Sequence, residues 1–401
     1  MENVINLGIP HVGEQIFESM DTPGLINCLE VSQTWKVLAE NVLIKMWKGK
    51  MFEACQIGEA KVVQLLLEHC NSEDSGLNIK DKYGWTPFME ACSGGHKDVV
   101  QLLLDHYERI ELNARSNRGW TAFMWACYNG HKDVVQLLLD HSERIDMNAS
   151  NNDGRTAFMW ACQYGHNDVV KLLLDHSDRI DLNAGDSNVM TAFMIACQSG
   201  HKDVVKLLLD HSDRIDLSVG DSNGMTAFRI ACQSGHKDVV KLILDHSGPR
   251  IDLNATDSIG MTAITWACQN GHKDVVKLLL DHSSRIDLNA GDSNGPKIDL
   301  NARDDILGMT GLICAVQKGH KDVVQLILTY SNLGINLNAR DGLGRTALTM
   351  ACYRGYKDVV QLLLEHSDPN ARDDLGWTAL MIASQSGHED IVQMVKAKLN
   401  P

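Results

Sequence analysis

The chain of 401 residues lacks the features that mark membrane proteins, secreted proteins and nucleic-acid-binding proteins. No apolar run approaches the roughly 18 residues of a membrane span, and residues 1–10 lack the basic and apolar regions of a signal peptide. Lys and Arg number 37 against 52 Asp and Glu, a formal net charge of -15, which disfavours nucleic acid or an anionic membrane as partner. We therefore expect an intracellular protein located in the cytoplasm, with the nucleus as a second location. A protein partner with basic or mixed charge suits its acidic surface best.

The 11 cysteines do not have the arrangement of a disulfide framework. Eight of them share one position of a sequence repeat: Cys55, Cys92, Cys127, Cys162, Cys197, Cys232, Cys268 and Cys352. An odd total at a repeated apolar position predicts free, buried thiols in a reducing compartment.

A segment of about 35 residues, of which Gly154 to Asp186 is typical, recurs along the chain from about residue 50 onward. Each complete copy has a threonine near its start: Thr86, Thr121, Thr156, Thr191, Thr226, Thr262, Thr310, Thr346 and Thr378. In the typical copy, Thr156 is a suitable N-cap for a short helix that Gly165 ends, and His166 opens a second helix. The second helix has a broad apolar face that one copy cannot cover, so the pattern predicts a solenoid of stacked copies.

The copies resemble ankyrin repeats, whose unit of about 33 residues carries a Thr-Pro-Leu-His signature. The resemblance implies an all-α fold with about ten solenoid units, each a helix-turn-helix with a β-hairpin or turn. The implied divisions are residues 48–80 for a degenerate first unit, 81–372 for the repeats with an insertion near 291–302, and 373–401 for a capping unit. We read Gly291 to Ala302, a partial copy of a hairpin segment, as an exposed loop.

Departures from the ankyrin pattern predict local adjustments. The signature histidine is missing from every complete unit, and methionine, as in Met89 and Met159, often stands in its place. We expect methionine packing to compensate in part for the lost polar contact, with some loss of local rigidity. Val189 occupies a position that is otherwise glycine, so its turn should be strained if it keeps a positive φ.

Residues 5–47 lack the repeat and show three short amphipathic helical patterns. Their motif residues resemble an F-box: Ile9-Pro10, Gln15-Ile16-Phe17, Met20-Asp21, Leu25, Val31, Trp35, Leu38 and Met46-Trp47. The resemblance implies a short F-box-like helical module that docks on a Skp-type adaptor of a cullin complex. The residues it assigns to apolar contact with the adaptor are Ile9, Pro10, Ile16, Leu25, Val31 and Trp35. The alternative is that these helices only cap the first repeat.

No set of residues in the sequence favours catalysis, a cofactor or a metal. Cys-x3-His pairs such as Cys92 and His96 recur once per unit and do not supply the four convergent ligands of a zinc site. Acids at the turns, such as Asp181, recur beside arginines such as Arg179 and indicate a self-neutralising solvated edge. One asparagine position recurs in the hairpins: Asn113, Asn148, Asn183, Asn254, Asn289, Asn301, Asn338 and Asn370. We expect these side chains to satisfy backbone groups, with hydroxylation as the alternative.

The positions at which the copies differ are the candidates for recognition of a partner. The ankyrin resemblance implies a concave face formed by hairpins and first helices, and tryptophan, tyrosine and arginine are the types enriched at binding hot spots. The predicted target-binding residues are Trp85, Trp120, Trp125, Tyr128, Arg155, Trp160 and Tyr164. For the helix positions Trp125 and Trp160, packing of one repeat on the next is the alternative.

Together these features indicate a non-enzymatic binding protein that is a monomer by itself. The first hypothesis is the substrate-recognition subunit of a cullin-based, SCF-type ubiquitin ligase, in which the F-box binds the adaptor and the ankyrin face binds the target protein. The alternative is an ankyrin scaffold with no ubiquitin role.

Overall fold

A computed structural model of the protein describes residues 17–31, 33–69, 76–246, 252–288 and 298–400. The chain divides into two compact bodies, Met1–Asp181 and Leu182–Pro401, called the N-terminal and the C-terminal body below. The described residues form helices, turns and four isolated antiparallel β-bridges, with no extended strand among them. Within the same ranges, no helix is both long enough and apolar enough to cross a membrane.

The N-terminal body contains two helices outside the repeat, followed by four helix pairs. Its α-helices are α1 Thr22–Cys28, α2 Gln33–Trp47, α3 Met51–Ile57, α4 Ala60–His69, α5 Pro87–Gly94, α6 Lys97–Asp105, α7 Ala122–Tyr128, α8 Lys132–Asp140, α9 Ala157–Gln163 and α10 Asn167–Asp175. The first helices of the pairs, α3, α5, α7 and α9, pack against one another in sequence order. The second helices, α4, α6, α8 and α10, do the same.

The C-terminal body contains six further pairs. Its helices are α11 Ala192–Ser199, α12 Lys202–Asp210, α13 Ala227–Ser234, α14 Lys237–His246, α15 Ala263–Gln269, α16 Lys273–Leu288, α17 Gly311–Lys318, α18 Lys321–Thr329, α19 Ala347–Arg354, α20 Lys357–Leu364, α21 Ala379–Gln385 and α22 Glu389–Leu399. The described part of the chain thus holds ten helix pairs, and successive pairs within each body stack. This confirms the all-α fold with about ten solenoid units.

The typical pair shows why the sequence folds in this way. The hydroxyl of Thr156 accepts the N–H of Met159 at 3.4 Å and so caps the start of α9. After α9 the chain reverses at Gly165, which has a φ of 71° that favours glycine. Helix α10 then buries two valines and two leucines, Val169, Val170, Leu173 and Leu174. Each such side chain contributes about 1.5–3 kcal/mol when fully buried.

Methionine does fill the place of the signature histidine in several units. Met89, Met124, Met159 and Met194 are all buried, with exposed fractions of 1% or less. The threonine three residues earlier still caps the helix through the backbone N–H of the methionine in each of these units. The expected methionine packing is therefore confirmed for these four units, whereas Met381 in the last unit is 47% exposed.

Histidines and asparagines join each repeat to its neighbour. The ring Nε2 of His131 lies 2.7 Å from the carbonyl oxygen of Ser93 in the preceding repeat, and the same contact recurs at His166 with Tyr128. Asn113 donates to the carbonyl of the next repeat and accepts a backbone N–H from it, at 2.7 and 2.9 Å. The histidines thus make contacts between repeats, and the backbone role expected of Asn113 is confirmed.

The hairpin copy at the insertion is used in an unexpected way. Helix α16 has 16 residues and runs through Asp287 and Leu288, the place at which other repeats form the hairpin. The second copy takes over the hairpin role, because Ile298 is buried, with 2% exposed, and Asp299 donates its N–H to Asn254 at 2.7 Å. The expectation of an exposed loop is thus wrong for Ile298. Asn289 and Gly291 lie outside the described residues.

Candidate functional site

Two positions per repeat build a candidate site in the N-terminal body. The first precedes the capping threonine and holds Trp85, Trp120 and Arg155; the second is the fourth residue of the first helix and holds Glu90, Trp125 and Trp160. Because α5, α7 and α9 pack side by side, equivalent residues of successive repeats fall into columns. The side chains of one column contact those of the other.

The rings of these columns interleave into one stack, called the aromatic ladder below. The ring of Trp125 lies between those of Trp85 and Trp120, with centroid separations of 4.3 and 4.2 Å. Trp120 also stacks on Trp160 at 4.6 Å, and the guanidinium of Arg155 lies 5.0 Å from the Trp160 ring. Pairs of this geometry add about 0.5–1.5 kcal/mol each beyond the area that they bury.

Two tyrosines line the ladder on one side. Tyr128 lies edge-on to Trp120, Trp125 and Trp160 at 5.4, 5.6 and 5.7 Å. Tyr164 contacts Tyr128 at 4.5 Å, and a hydrogen bond between their side chains, together with burial, raises the pKa of Tyr164. The two tyrosines therefore extend the ring surface beyond the ladder, and Tyr164 stays 43% exposed.

The structure brings all seven predicted target-binding residues together, where they pack one repeat on the next or line a cleft. Trp120 and Trp160 are only 8% and 9% exposed, so much of their surface packs repeat against repeat, as the alternative for Trp160 held. The six aromatic residues nevertheless line one cleft of about 700 Å³. Arg155 is not part of the lining. It lies over Trp160 and bonds to Gln163.

Sequence reasoning missed the acidic end of this cleft. Asp81 and Glu90 line it beside Phe52 and Tyr83. One oxygen of Asp81 accepts the backbone N–H groups of Tyr83 and Trp85, at 2.8 and 2.7 Å, and so fixes the turn that presents Trp85. Burial, followed by the charge of Asp81, raises the pKa of Glu90. The sequence does contain a signal for this acidic end, because Glu90 occupies a position that is tryptophan in the next two repeats.

Comparison with known proteins identifies the family. The sequence profile of the family described as "Ankyrin repeats (3 copies)" matches residues 50–116, 108–186, 180–257, 213–292, 249–341 and 331–400. The chain is an ankyrin-repeat protein. It is also similar to the crystal structure of the ankyrin repeat domain of Bcl-3, a unique member of the IkappaB protein family, with a TM-score of 0.51 and 26% identity over 61% of this chain and 100% of that one. No curated protein sequence matches it significantly.

The predicted adaptor-binding residues of this ankyrin-repeat protein are only partly described. Ile9, Pro10 and Ile16 lie outside the described residues. Leu25 is fully buried, whereas Val31 is 53% exposed. Trp35 is half-buried and meets Phe17 edge-on at 5.7 Å. Helix α2 packs against both α1 and α4, so the first helix pair and the N-terminal helices share a core.

The cysteines of the ankyrin repeats are packing residues. Every described cysteine is a buried thiol that takes part in no disulfide, as expected. Burial raises the pKa of Cys352 to about 12, and burial with the nearby charge of Asp304 raises that of Cys314 to about 12. Such thiols are protonated at neutral pH and are poor nucleophiles. Ankyrin-repeat proteins generally bind partners and do not catalyse reactions, and this chemistry agrees with that role.

Proposed function

We propose that this protein is a non-catalytic binding protein that captures a target protein in the aromatic cleft of its N-terminal body. The observation that carries the proposal is the cleft of about 700 Å³ lined by Trp85, Trp120, Trp125, Tyr128, Trp160 and Tyr164. Rings of this kind bury a large area at little cost in side-chain entropy, which suits a binding hot spot. The stacking of the ladder holds the rings in place before a partner arrives.

The capture test uses the partly exposed ends of the cleft, because substitution of the buried Trp120 would also disturb packing. The intact chain is used as bait in a cell extract, and bound proteins are quantified by mass spectrometry. Trp85→Ala combined with Tyr164→Ala should remove the bound target. The matched control is Tyr353→Ala, since Tyr353 has the sequence position of Tyr128 but lies in the C-terminal body and is 54% exposed. Equal capture by all variants contradicts the proposal.

We further propose that the captured protein is a substrate for ubiquitination, with residues 5–47 holding the Skp-type adaptor of an SCF-type ligase. Two things support this role: the F-box spacing of the motif residues, and the exposure of Val31, an apolar residue that the resemblance assigns to the adaptor. Ligase chemistry would belong to other subunits, and the contribution of this chain would be proximity.

The competing function is a scaffold with no ubiquitin role. It is supported by the packing of α2 on α4 and by the full burial of Leu25, which leaves that side chain no free surface for an adaptor in this arrangement. In this case the N-terminal helices complete the core of the first pair and the aromatic cleft carries the whole function.

A binding experiment with purified Skp-type adaptor separates the two functions. Val31→Asp should abolish binding by the intact chain if it is a receptor, because a charge would enter an apolar contact. Val37→Asp is the matched control, as Val37 is also exposed, at 48%, and is not one of the assigned residues. Absence of adaptor binding by the unmodified chain favours the scaffold, and equal binding by both variants would show that Val31 is not part of the adaptor contact.

A further inference from the structure

The aromatic ladder has two chemically different ends. At one end, the guanidinium of Arg155 covers Trp160 at 5.0 Å. At the other end stands Trp85, whose ring contact among the described residues is with Trp125. Within a repeat, the fourth residue of the first helix lies against the residue that precedes the capping threonine. Trp125 lies against Trp120 in this way, and Trp160 lies against Arg155. In the repeat of Trp85, the fourth residue of the first helix is Glu90. Glu90 and Trp85 both line this end of the cleft, and the repeat geometry points to the carboxylate on the side of the free face of Trp85.

This end of the cleft holds two acids and, among the residues that line the cleft, one cation, Arg118. In the described part of the chain, neither Glu90 nor Asp81 takes part in an ion pair. The nearby cation of Lys82 lies instead over the ring of Tyr83, at 4.8 Å. The face of an aromatic ring is itself electronegative, so a carboxylate beside it lacks a favourable partner. A cation placed between Glu90 and Trp85 would satisfy both groups.

We propose that the acidic end of the aromatic cleft binds an arginine side chain of the captured protein. The guanidinium stacks on Trp85, as Arg155 stacks on Trp160, and pairs with the carboxylates of Glu90 and Asp81. This inference rests on the proposed function, because it names the chemistry of the partner at that same site. A formal net charge of -15 also favours a partner with a basic segment.

Arginine fits this site better than lysine does. Its planar guanidinium stacks on a ring and still donates to carboxylates in its own plane, whereas an ammonium is a compact, strongly hydrated charge. Among the described residues, three arginines lie over aromatic rings: Arg144 over Tyr107 at 3.7 Å, Arg155 over Trp160 at 5.0 Å and Arg354 over Tyr353 at 5.8 Å. A lysine in the same place would gain the charge pairing but lose most of the stacking.

The test measures binding of capped five-residue peptides to the full chain by calorimetry. Each peptide has one central residue between glycines and serines: arginine, lysine, trimethyllysine or citrulline. The arginine peptide should bind at least tenfold more tightly than the citrulline peptide, which keeps the shape and loses the charge, and several-fold more tightly than the lysine peptide. No binding of the arginine peptide at millimolar concentration, equal binding of citrulline, or tighter binding of trimethyllysine overturns the proposal.

Variants of Glu90 assign the effect to the site. Glu90→Gln should weaken binding of the arginine peptide at least tenfold. Glu90→Trp should abolish it while leaving the fold intact, because the next two repeats carry tryptophan at this position, and circular dichroism checks the fold. Glu111→Gln, which alters an exposed acid outside the cleft lining, should bind like the unmodified chain. Unchanged binding by Glu90→Gln contradicts the inference.

Failure of this inference and failure of the proposed function give different results. If capture of the target still depends on Trp85 and Tyr164 but the peptides show no preference for arginine, the cleft binds its target through other contacts and only the arginine inference falls. If capture is insensitive to Trp85 and Tyr164, the cleft is not the capture site and the proposed function falls as well.

Discussion

The indole N–H of Trp266 donates to Oδ2 of Asp257 at 2.8 Å, and the corresponding indoles of the aromatic ladder lack this bond. The Nε1 atoms of Trp125 and Trp160 are buried, and no acceptor among the described residues reaches either one. In the repeat of Trp160, Asn151 occupies the position of Asp257. Its side-chain oxygen Oδ1 already accepts the backbone N–H groups of Asp153 and Arg155. The atom that corresponds to Oδ2 of Asp257 is the amide nitrogen of Asn151, which cannot accept a hydrogen bond.

Asn151→Asp should give the indole N–H of Trp160 an acceptor, and one such bond is worth about 1 kcal/mol. The change also removes the bond from Nδ2 of Asn151 to Oδ2 of Asp153 at 3.4 Å and would set two carboxylates side by side, so it is made together with Asp153→Asn. The double variant should be more stable than Asp153→Asn alone. The reciprocal change, Asp257→Asn, removes the acceptor of Trp266 and should cost about 1–3 kcal/mol. Urea unfolding followed by tryptophan fluorescence measures these differences, and a double variant less stable than Asp153→Asn alone would show that the new carboxylate does not accept from Trp160.

Arg229 is a charged side chain at a position that four earlier repeats give to methionine. It is 2% exposed, and its Nε and Nη1 atoms have no hydrogen-bond partner among the described residues. Burial lowers its pKa, against the opposing charges of Asp257, Asp221 and Asp252. The hydroxyl of Thr226 in the same repeat is also buried without a partner in that part of the chain, so the usual cap is missing.

Arg229→Met should raise the free energy of unfolding by about 1–4 kcal/mol, because a buried charge gives way to a side chain of similar length that fits this position in other repeats. The matched control is Met194→Arg in the preceding repeat, which should destabilise the protein by a similar amount. Urea unfolding followed by far-ultraviolet circular dichroism gives both values. Equal stability of Arg229→Met and the unmodified chain would show that the three acids already offset the cost of burial.

Val189 is the one non-glycine residue with a positive φ in the described part of the chain, at 63°. The condition under which the sequence predicts a strained turn, a positive φ at Val189, is thus met. A β-branched side chain in the left-handed region costs about 1–2 kcal/mol, and the extra freedom of glycine in the unfolded chain returns about 0.5–1 kcal/mol of this. Val189→Gly should stabilise the protein by up to about 1 kcal/mol in thermal or urea unfolding. Gly154→Val, the reverse change in an equivalent turn, should destabilise it.

The parts of the structure that depend on neighbouring residues in sequence were predictable. Thr156 caps a helix and Gly165 ends one through local hydrogen bonds and backbone sterics, so the repeat register and the fold class followed from the pattern. The positive φ of Val189 was predictable for the same reason, because its equivalents in other repeats are glycines.

The parts that depend on contacts between repeats were only partly predictable. Trp85 and Trp125 are 40 residues apart, and their stacking is set by the distance between packed helices, which composition does not reveal. The sequence identified them as candidates, whereas the order of the ladder and the place of Glu90 at its end required coordinates. The use of Ile298 in the second hairpin copy was missed for the same reason, since two near-identical segments compete for one position.

The stability and the binding of this protein should respond to pH in opposite directions through Glu90. Burial, then the charge of Asp81, raises its pKa in the folded state. The protonated form is therefore favoured by folding, and the stability that it contributes is lost as the pH rises through the folded pKa. Glu90→Gln should be more stable than the unmodified chain at pH 7, and the difference should disappear below the unfolded glutamate pKa of about 4.3.

Arginine-peptide binding should instead strengthen as the pH rises through the folded pKa of Glu90, because the ionised carboxylate attracts the guanidinium. Asp81 is the other acid at this end of the cleft, and Lys82 and Arg118 are the nearby cations. Calorimetric titrations at pH 4, 5.5 and 7 measure the trend, with Glu90→Gln as the control whose profile should be flatter. An affinity that is independent of pH in the unmodified chain would show that the guanidinium does not contact Glu90.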